Sequence, residues 1–229
     1  MKKFLVIMFK PTKIMKKILI IIFFSFLINN KVFSNSISDF TIGPFGINEK
    51  LTELVKKSEI ESTSYFTTDQ GSNKEIIRYD VKQNLVPKDY DGVMLSYSFK
   101  NKDFKILNIE GVINYTNDFK GCNKKRAEIA KEIKSLFANV IKWDGNRKNV
   151  NKKIIFYEAS APHFLYKDSP VDQSIFAFKF REKDLKPLDF ITVSCYDWSE
   201  KAGYPDEMRI TVTSKKYELW LEKIKKKLN

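Results

Sequence analysis

Val93-Met94-Leu95-Ser96-Tyr97-Ser98-Phe99-Lys100 places an apolar residue at every second position, and Leu107, Ile109, Ile113 and Tyr115 repeat the pattern a few residues later. Side chains of an extended chain alternate between two faces, so a period of two marks strands with one buried face and one wetter face. Gly111 falls in register within the second run, which predicts a bulge or a close approach at that point. Working outward, Ile76–Asp80, Ile154–Ala159, Phe176–Phe180, Phe190–Tyr196 and Met208–Val212 bring the total to about seven strands. Turn residues separate them: Asp91-Gly92, Asp144-Gly145-Asn146 and Tyr204-Pro205-Asp206. Most consecutive strands are joined by short or medium loops and not by helices, which predicts antiparallel pairing.

Three segments read at the helical period instead. Asn48 is placed to cap the first, with Leu51, Leu54 and Val55 on one face, running to about Glu59. The second opens at Asn117 or Asp118 and repeats Ile129, Ile133, Leu136, Phe137 and Val140 at helical spacing. The third starts at Thr213 or Ser214 and aligns Tyr217, Trp220, Leu221, Ile224 and Leu228. Its last turn collects Lys223, Lys225, Lys226 and Lys227, where cations suit the negative end of the helix dipole. The expected class is therefore α+β, a mainly antiparallel sheet of about seven strands with three helices. The order helix, three strands, helix, four strands, helix leaves two related halves open, although no residues align convincingly between them.

The N-terminus reads as an export signal. Lys16-Lys17 precedes an apolar run, Ile18–Ile28, that is far shorter than the roughly 20 residues of a membrane-spanning helix. Val32-Phe33-Ser34 then fits a cleavage site between Ser34 and Asn35. Residues 1–34 are the expected signal peptide and 35–229 a single α+β domain, which would not be an integral membrane protein after processing. Met15-Lys16-Lys17 is by itself an ordinary signal opening, which makes Met15 a candidate true start.

Export changes the charge argument. The chain carries 41 bases and 28 acids, a formal +13, but seven of the lysines lie in the export segment, leaving 34 bases against the same 28 acids. The pull toward nucleic acid is correspondingly weak, and none is expected as a partner. The remaining excess gathers in two stretches, residues 124–153 and 215–227. Lys124, Lys125, Arg126, Lys131, Lys134, Lys223, Lys226 and Lys227 are candidates for a basic surface that meets an anionic envelope component. Solvated helix faces account for the same lysines without any ligand.

The two cysteines, Cys122 and Cys195, are the chain's only ones. Cys122 lies two turns before Ile129 and shares its helix face; Cys195 follows Ile191 and Val193 at period two and shares their strand face. Both sulfurs aim at the core, and in an oxidising compartment a helix-to-sheet disulfide is the expected outcome. Two buried free thiols and a reactive pair are the competing readings, the last lacking the close Cys-x-x-Cys spacing of redox motifs.

Catalytic and cofactor chemistry finds little support. One histidine and two cysteines are too few for the usual zinc sites. Ser160 and His163 stand close in the chain but outside any nucleophile signature. Asp89-Tyr90-Asp91-Gly92 opens like a calcium loop yet lacks its remaining ligands and reads as a turn. Gly43-Pro44-Phe45-Gly46 matches neither a P-loop nor a dinucleotide fingerprint. No cofactor and no metal are expected. The 19 Phe and 10 Tyr fall largely at strand-core positions and read as packing.

Three phrases together resemble a family of small exported proteins of streamlined, AT-rich marine alphaproteobacteria that has no assigned activity. They are Ile42-Gly43 leading to an amphipathic helix, Leu107–Tyr115 running into Asn117-Asp118-Phe119-Lys120-Gly121-Cys122, and Val193-Ser194-Cys195-Tyr196-Asp197-Trp198-Ser199 before a strand and a Trp-bearing last helix. The resemblance implies export, a cysteine pair and a shared fold, and carries over no catalytic residue. The expected function is that of a periplasmic or secreted, non-enzymatic binding or envelope-assembly module, its partner an envelope protein or an anionic envelope component. Two other readings stand beside it. One is a hydrolase of envelope polymers whose paired carboxylates meet only on folding. The other is a peripheral membrane-surface protein using the lysine-rich helices.

Overall fold

The computed structural model describes residues 36–66, 75–98, 103–137, 139–145, 154–163 and 166–228. Residues 1–34, expected to be a signal peptide, together with Met15, the expected cleavage site at Ser34/Asn35, Phe99, Lys100 and Asn146, lie outside the described residues.

Eleven strands are found among the described residues: β1 (Thr41–Ile42), β2 (Phe45–Gly46), β3 (Tyr65–Phe66), β4 (Ile76–Asp80), β5 (Gly92–Ser98), β6 (Ile106–Asn114), β7 (Val140–Lys142), β8 (Ile154–Pro162), β9 (Pro170–Arg181), β10 (Lys186–Tyr196) and β11 (Glu207–Thr213). The α-helices are α1 (Lys57–Thr63), α2 (Phe119–Leu136) and α3 (Lys215–Leu228). β1 and β2 form a separate hairpin. The other nine strands make one sheet in the order β3-β4-β5-β6-β11-β10-β9-β8-β7, antiparallel throughout except for the β7–β8 pair. The fold is α+β. All seven expected strands form. The additional ones, β1, β2, β3 and β7, span two or three residues, too few for a period of two to register.

Two helix expectations need correction. Asn48 does not cap a helix: its φ of 71° is left-handed, whereas an N-cap residue is extended. Residues 48–51 instead pair with the start of β6, the Asn48 N–H donating to the Ile106 carbonyl and the Leu51 N–H to that of Phe104. A 3-10 turn follows at Leu51–Glu53, and the α-helix begins only at Lys57. Leu51 and Val55 are still buried, while Leu54 is exposed. The second helix starts as expected, with the Asp118 carboxylate accepting the Gly121 N–H at 2.8 Å. It stops at Leu136 because Phe137 is already extended, at φ −109° and ψ 134°. Leu136 is therefore exposed, and Val140 belongs to β7.

The sheet has two unlike faces. On the first, Ile191, Val193 and Cys195 of β10 join Met208, Ile210 and Val212 of β11 in the main core with Cys122, Ala130 and Ile133 of α2. Over the β4–β6 half the same face is covered by the N-terminal segment, through Ile42, Phe45, Leu51, Val55 and Ile60. On the second face α3 buries Trp220 and Ile224 against Ile76 and Leu107, a separate cluster. The strands alone read as two meanders, β3–β6 and β8–β11, meeting at an antiparallel β6–β11 pair. A two-fold axis through such a pair runs perpendicular to the sheet and preserves its faces, yet α2 and α3 lie on opposite ones. The relation between halves stops at the strands.

Gly111 marks a close approach and not a bulge, since it pairs in register with both Val93 and Ile210. The Tyr90 ring lies on it: a Cβ there would sit 2.4 Å from Tyr90 Cε1 and 3.3 Å from Ile42 Cδ1. Gly111→Ala is expected to lower stability by about 2 kcal/mol through overpacking. Urea denaturation checks this, and in combination with Tyr90→Ala the two costs should sum to less than their separate values.

Candidate functional site

Alternation along the central strands sends a row of polar side chains to the second face. Arg78 comes from β4, Glu110 from β6, Glu207 and Arg209 from β11, and Ser194 and Tyr196 from β10. The register sets Arg209 opposite Ser194 and Glu207 opposite Tyr196. Among the described residues α3 is the only helix on this face, and it covers the opposite end of these strands.

Arg209 organises the row. Its guanidinium reaches the Glu207 carboxylate at 2.5 Å and that of Glu110 at 3.5 Å; Glu110 lies 3.9 Å from Arg78, which is in turn 3.6 Å from Asp80. Burial opposes the Arg209 charge, but Glu207 and Glu110 outweigh it and hold its pKa above the usual value. The other surface of the guanidinium faces aromatic rings, 5.0 Å from the Tyr196 centroid and 6.0 Å from that of Trp198.

Those rings belong to an aromatic nest built from two loops at one end of the sheet. Trp198 stacks on Tyr196 at 5.1 Å, meets His163 edge-on at 4.7 Å, and lies 5.5 Å from Tyr204 and 6.0 Å from Tyr166. Backbone hydrogen bonds sew the loops together. The Asp197 N–H donates to the Pro170 carbonyl and the Ser199 N–H to Ser169 Oγ, while within its own loop the Trp198 N–H donates to the Asp206 carboxylate. Ser169 and Asp206 are both buried, so these anchors are shielded from water. Tyr204 projects furthest and is 60% exposed.

His163 Nδ1 accepts the Tyr166 N–H at 3.3 Å, which leaves the ring proton on Nε2. Burial, and secondarily the Arg209 charge, hold its pKa below the usual histidine value. Both effects favour the neutral ring. Burial also pushes the Tyr196 hydroxyl upward, and burial with Asp206 raises Asp197. Two buried groups in the nest, Trp198 Nε1 and Ser199 Oγ, lack a hydrogen-bond partner among the described residues.

The expected site residues fall elsewhere. Cys122 and Cys195 are bonded, Sγ to Sγ at 2.04 Å, and neither remains a thiol. Cys195 precedes Tyr196, so the bridge ties the start of α2 to the strand end that carries the nest. The basic residues do not form one patch, because those of α2 and α3 stand on opposite sides of the sheet. Arg126 is structural, its guanidinium bonded to Asn123, Glu158 and Ser174. Lys125 pairs with Glu128, and the Lys134 ammonium lies 3.7 Å over the Phe156 ring. Lys124, Lys131, Lys223 and Lys226 are exposed, and the Lys227 side chain lies outside the described residues. Ser160 donates to Asp172 at 2.6 Å and forms no couple with His163. The Tyr90 N–H donates to the Pro87 carbonyl, a turn as expected, and Asp91 accepts the Asn114 N–H. Among the described residues no group of three or more His, Cys, Asp or Glu side chains is placed to hold a metal ion. No described helix is long and apolar enough to cross a membrane.

The nest was not anticipated. Its rings come from segments thirty residues apart, and only the Ser194, Tyr196, Trp198 alternation, continuing past the strand end, hinted that aromatics leave the core there. Comparison of the chain with protein-family models, with curated proteins and with solved structures gives no match.

Proposed function

We propose that this protein is an exported, non-enzymatic binding module whose aromatic nest receives a neutral sugar residue of an envelope glycan. One observation carries the reading: the cationic groups beside the nest are already satisfied. Arg209 is shared between two carboxylates, and His163 favours its neutral form. What the nest offers a ligand is aromatic surface and neutral hydrogen-bonding groups. A pyranose ring matches that offer, since its C–H face is weakly positive and the π face of an aromatic ring is negative. Mostly apolar walls with a few fixed polar groups are also the usual make-up of small-ligand sites. The Cys122–Cys195 bridge supports export, because such bonds persist where thiols are not kept reduced.

Titration calorimetry against neutral hexose and N-acetylhexosamine oligosaccharides tests the reading. Tyr204→Ala is expected to weaken the binding at least tenfold without moving the melting temperature, because its ring is largely exposed. Unchanged affinity in that variant, or no binding across the panel, would refute it.

A further inference from the structure

A second site lies at the other end of the same face, where α3 crosses the sheet edge. A cleft of about 270 Å³ opens there, lined by Glu75, Ile76, Ser98, Lys216, Leu219, Trp220 and Lys223. That is slightly below the roughly 300–1,000 Å³ of drug-sized ligand pockets, so it suits one small molecule or the end of a chain.

Charge on α3 is divided by side. Its two acids, Glu218 and Glu222, point to the β9–β10 hairpin and are held there by Lys186 and Arg181. Both are buried. The acids that would offset the helix lysines are therefore engaged elsewhere. Lys216 and Lys223, two turns apart on the cleft side, are exposed and have no carboxylate partner among the described residues. Between them Leu219 and Trp220 join Ile76 in an apolar wall. Trp220 is only 6% exposed, and its indole N–H has no acceptor among the described residues. Glu75, just before β4, also lines the cleft.

We propose that this cleft binds a free monoacyl anion, its acyl chain on Ile76, Leu219 and Trp220 and its charged head between Lys216 and Lys223. The concave shape favours a single amphiphile over a flat bilayer, and the cation pair favours an anionic head over a neutral or cationic one.

Titration calorimetry on the full chain with dodecanoate, dodecanol and dodecyltrimethylammonium, the two ions below their micelle concentrations and the alcohol below its solubility limit, tests this. Dodecanoate should bind one to one and at least tenfold more tightly than the other two. Lys216→Ala with Lys223→Ala should remove that preference while leaving the melting temperature unchanged, since both side chains are exposed. Equal affinity for the anionic and cationic chains, indifference to the double substitution, or no dodecanoate binding would overturn the proposal. Association only with anionic vesicles would overturn it too, and assign the lysines to a membrane surface. Tyr204→Ala should leave dodecanoate binding unaltered, so this site and the nest stand or fall separately.

Discussion

Replacing both Cys122 and Cys195 by alanine is expected to lower the thermal midpoint by roughly 10 °C. The bridge closes a loop of 73 residues between the first turn of α2 and the end of β10. In the chain-entropy model a loop of that length is worth roughly 4 kcal/mol, lost when the unfolded chain is freed. In a domain of this size each kcal/mol moves the midpoint by about 2–4 °C, which brackets the expected fall. Both cysteines are fully buried, so two alanines also leave a small void that adds to the loss and cannot offset it. The effect should reach the nest as well, because Cys195 adjoins Tyr196. Near-ultraviolet circular dichroism, which reports ring packing, should weaken in the alanine variant below its midpoint. Calorimetry of the oxidised protein, the reduced protein and the double variant provides the check. A midpoint within 3 °C of the parent in both altered forms would show that the bridge is not a staple.

What could be read from the chain follows from how local each signal is. Period-two runs such as Val93–Ser98 and Phe190–Tyr196 carry their own faces, and a strand of five or more residues can be recognised from its side chains alone. The cysteine pairing was legible for the same reason, since each sulfur shares a face with apolar neighbours a few residues away. The Asn48 helix failed because Leu51, Leu54 and Val55 fit a helical stripe just as well as a docked edge with a 3-10 turn. Only the contacts of Asn48 and Leu51 with Ile106 and Phe104, more than fifty residues away, decide between them. Arg126 was misread for a related reason. It looks like one more cation on a wet helix face, and only folding brings Ser174 and Glu158 to its guanidinium. The aromatic nest is nonlocal throughout, assembled from two loops that become neighbours because β8, β9, β10 and β11 are adjacent in the sheet.

Arg209→Met should cost about 3 kcal/mol at pH 7 and should also move the titration of His163. The thioether fills much of the guanidinium's volume, so the loss is electrostatic more than steric. It leaves Glu207, which is buried, and Glu110 without the cation that both engage. Removing one partner of a buried pair typically costs 3–5 kcal/mol, and the lower figure applies because the Arg209 side chain keeps 28% of its exposure. Lysine should rescue only part of the loss, since it lacks the fork that contacts both acids at once. His163 is the chain's one histidine, so its proton resonances can be followed without ambiguity. Burial is the larger cause of its lowered pKa and Arg209 the smaller, so the variant's value should rise yet stay below 6.5. The sign for stability follows. With a folded pKa beneath the unfolded one, His163 contributes nothing above about pH 6.5. It becomes destabilising as the pH falls from there to the folded value, where the unfolded chain binds the extra proton. In Arg209→Met that window narrows from its lower edge. An unchanged His163 titration in a folded variant would place the guanidinium too far from the ring to influence it, and would separate the ion-pair row from the nest.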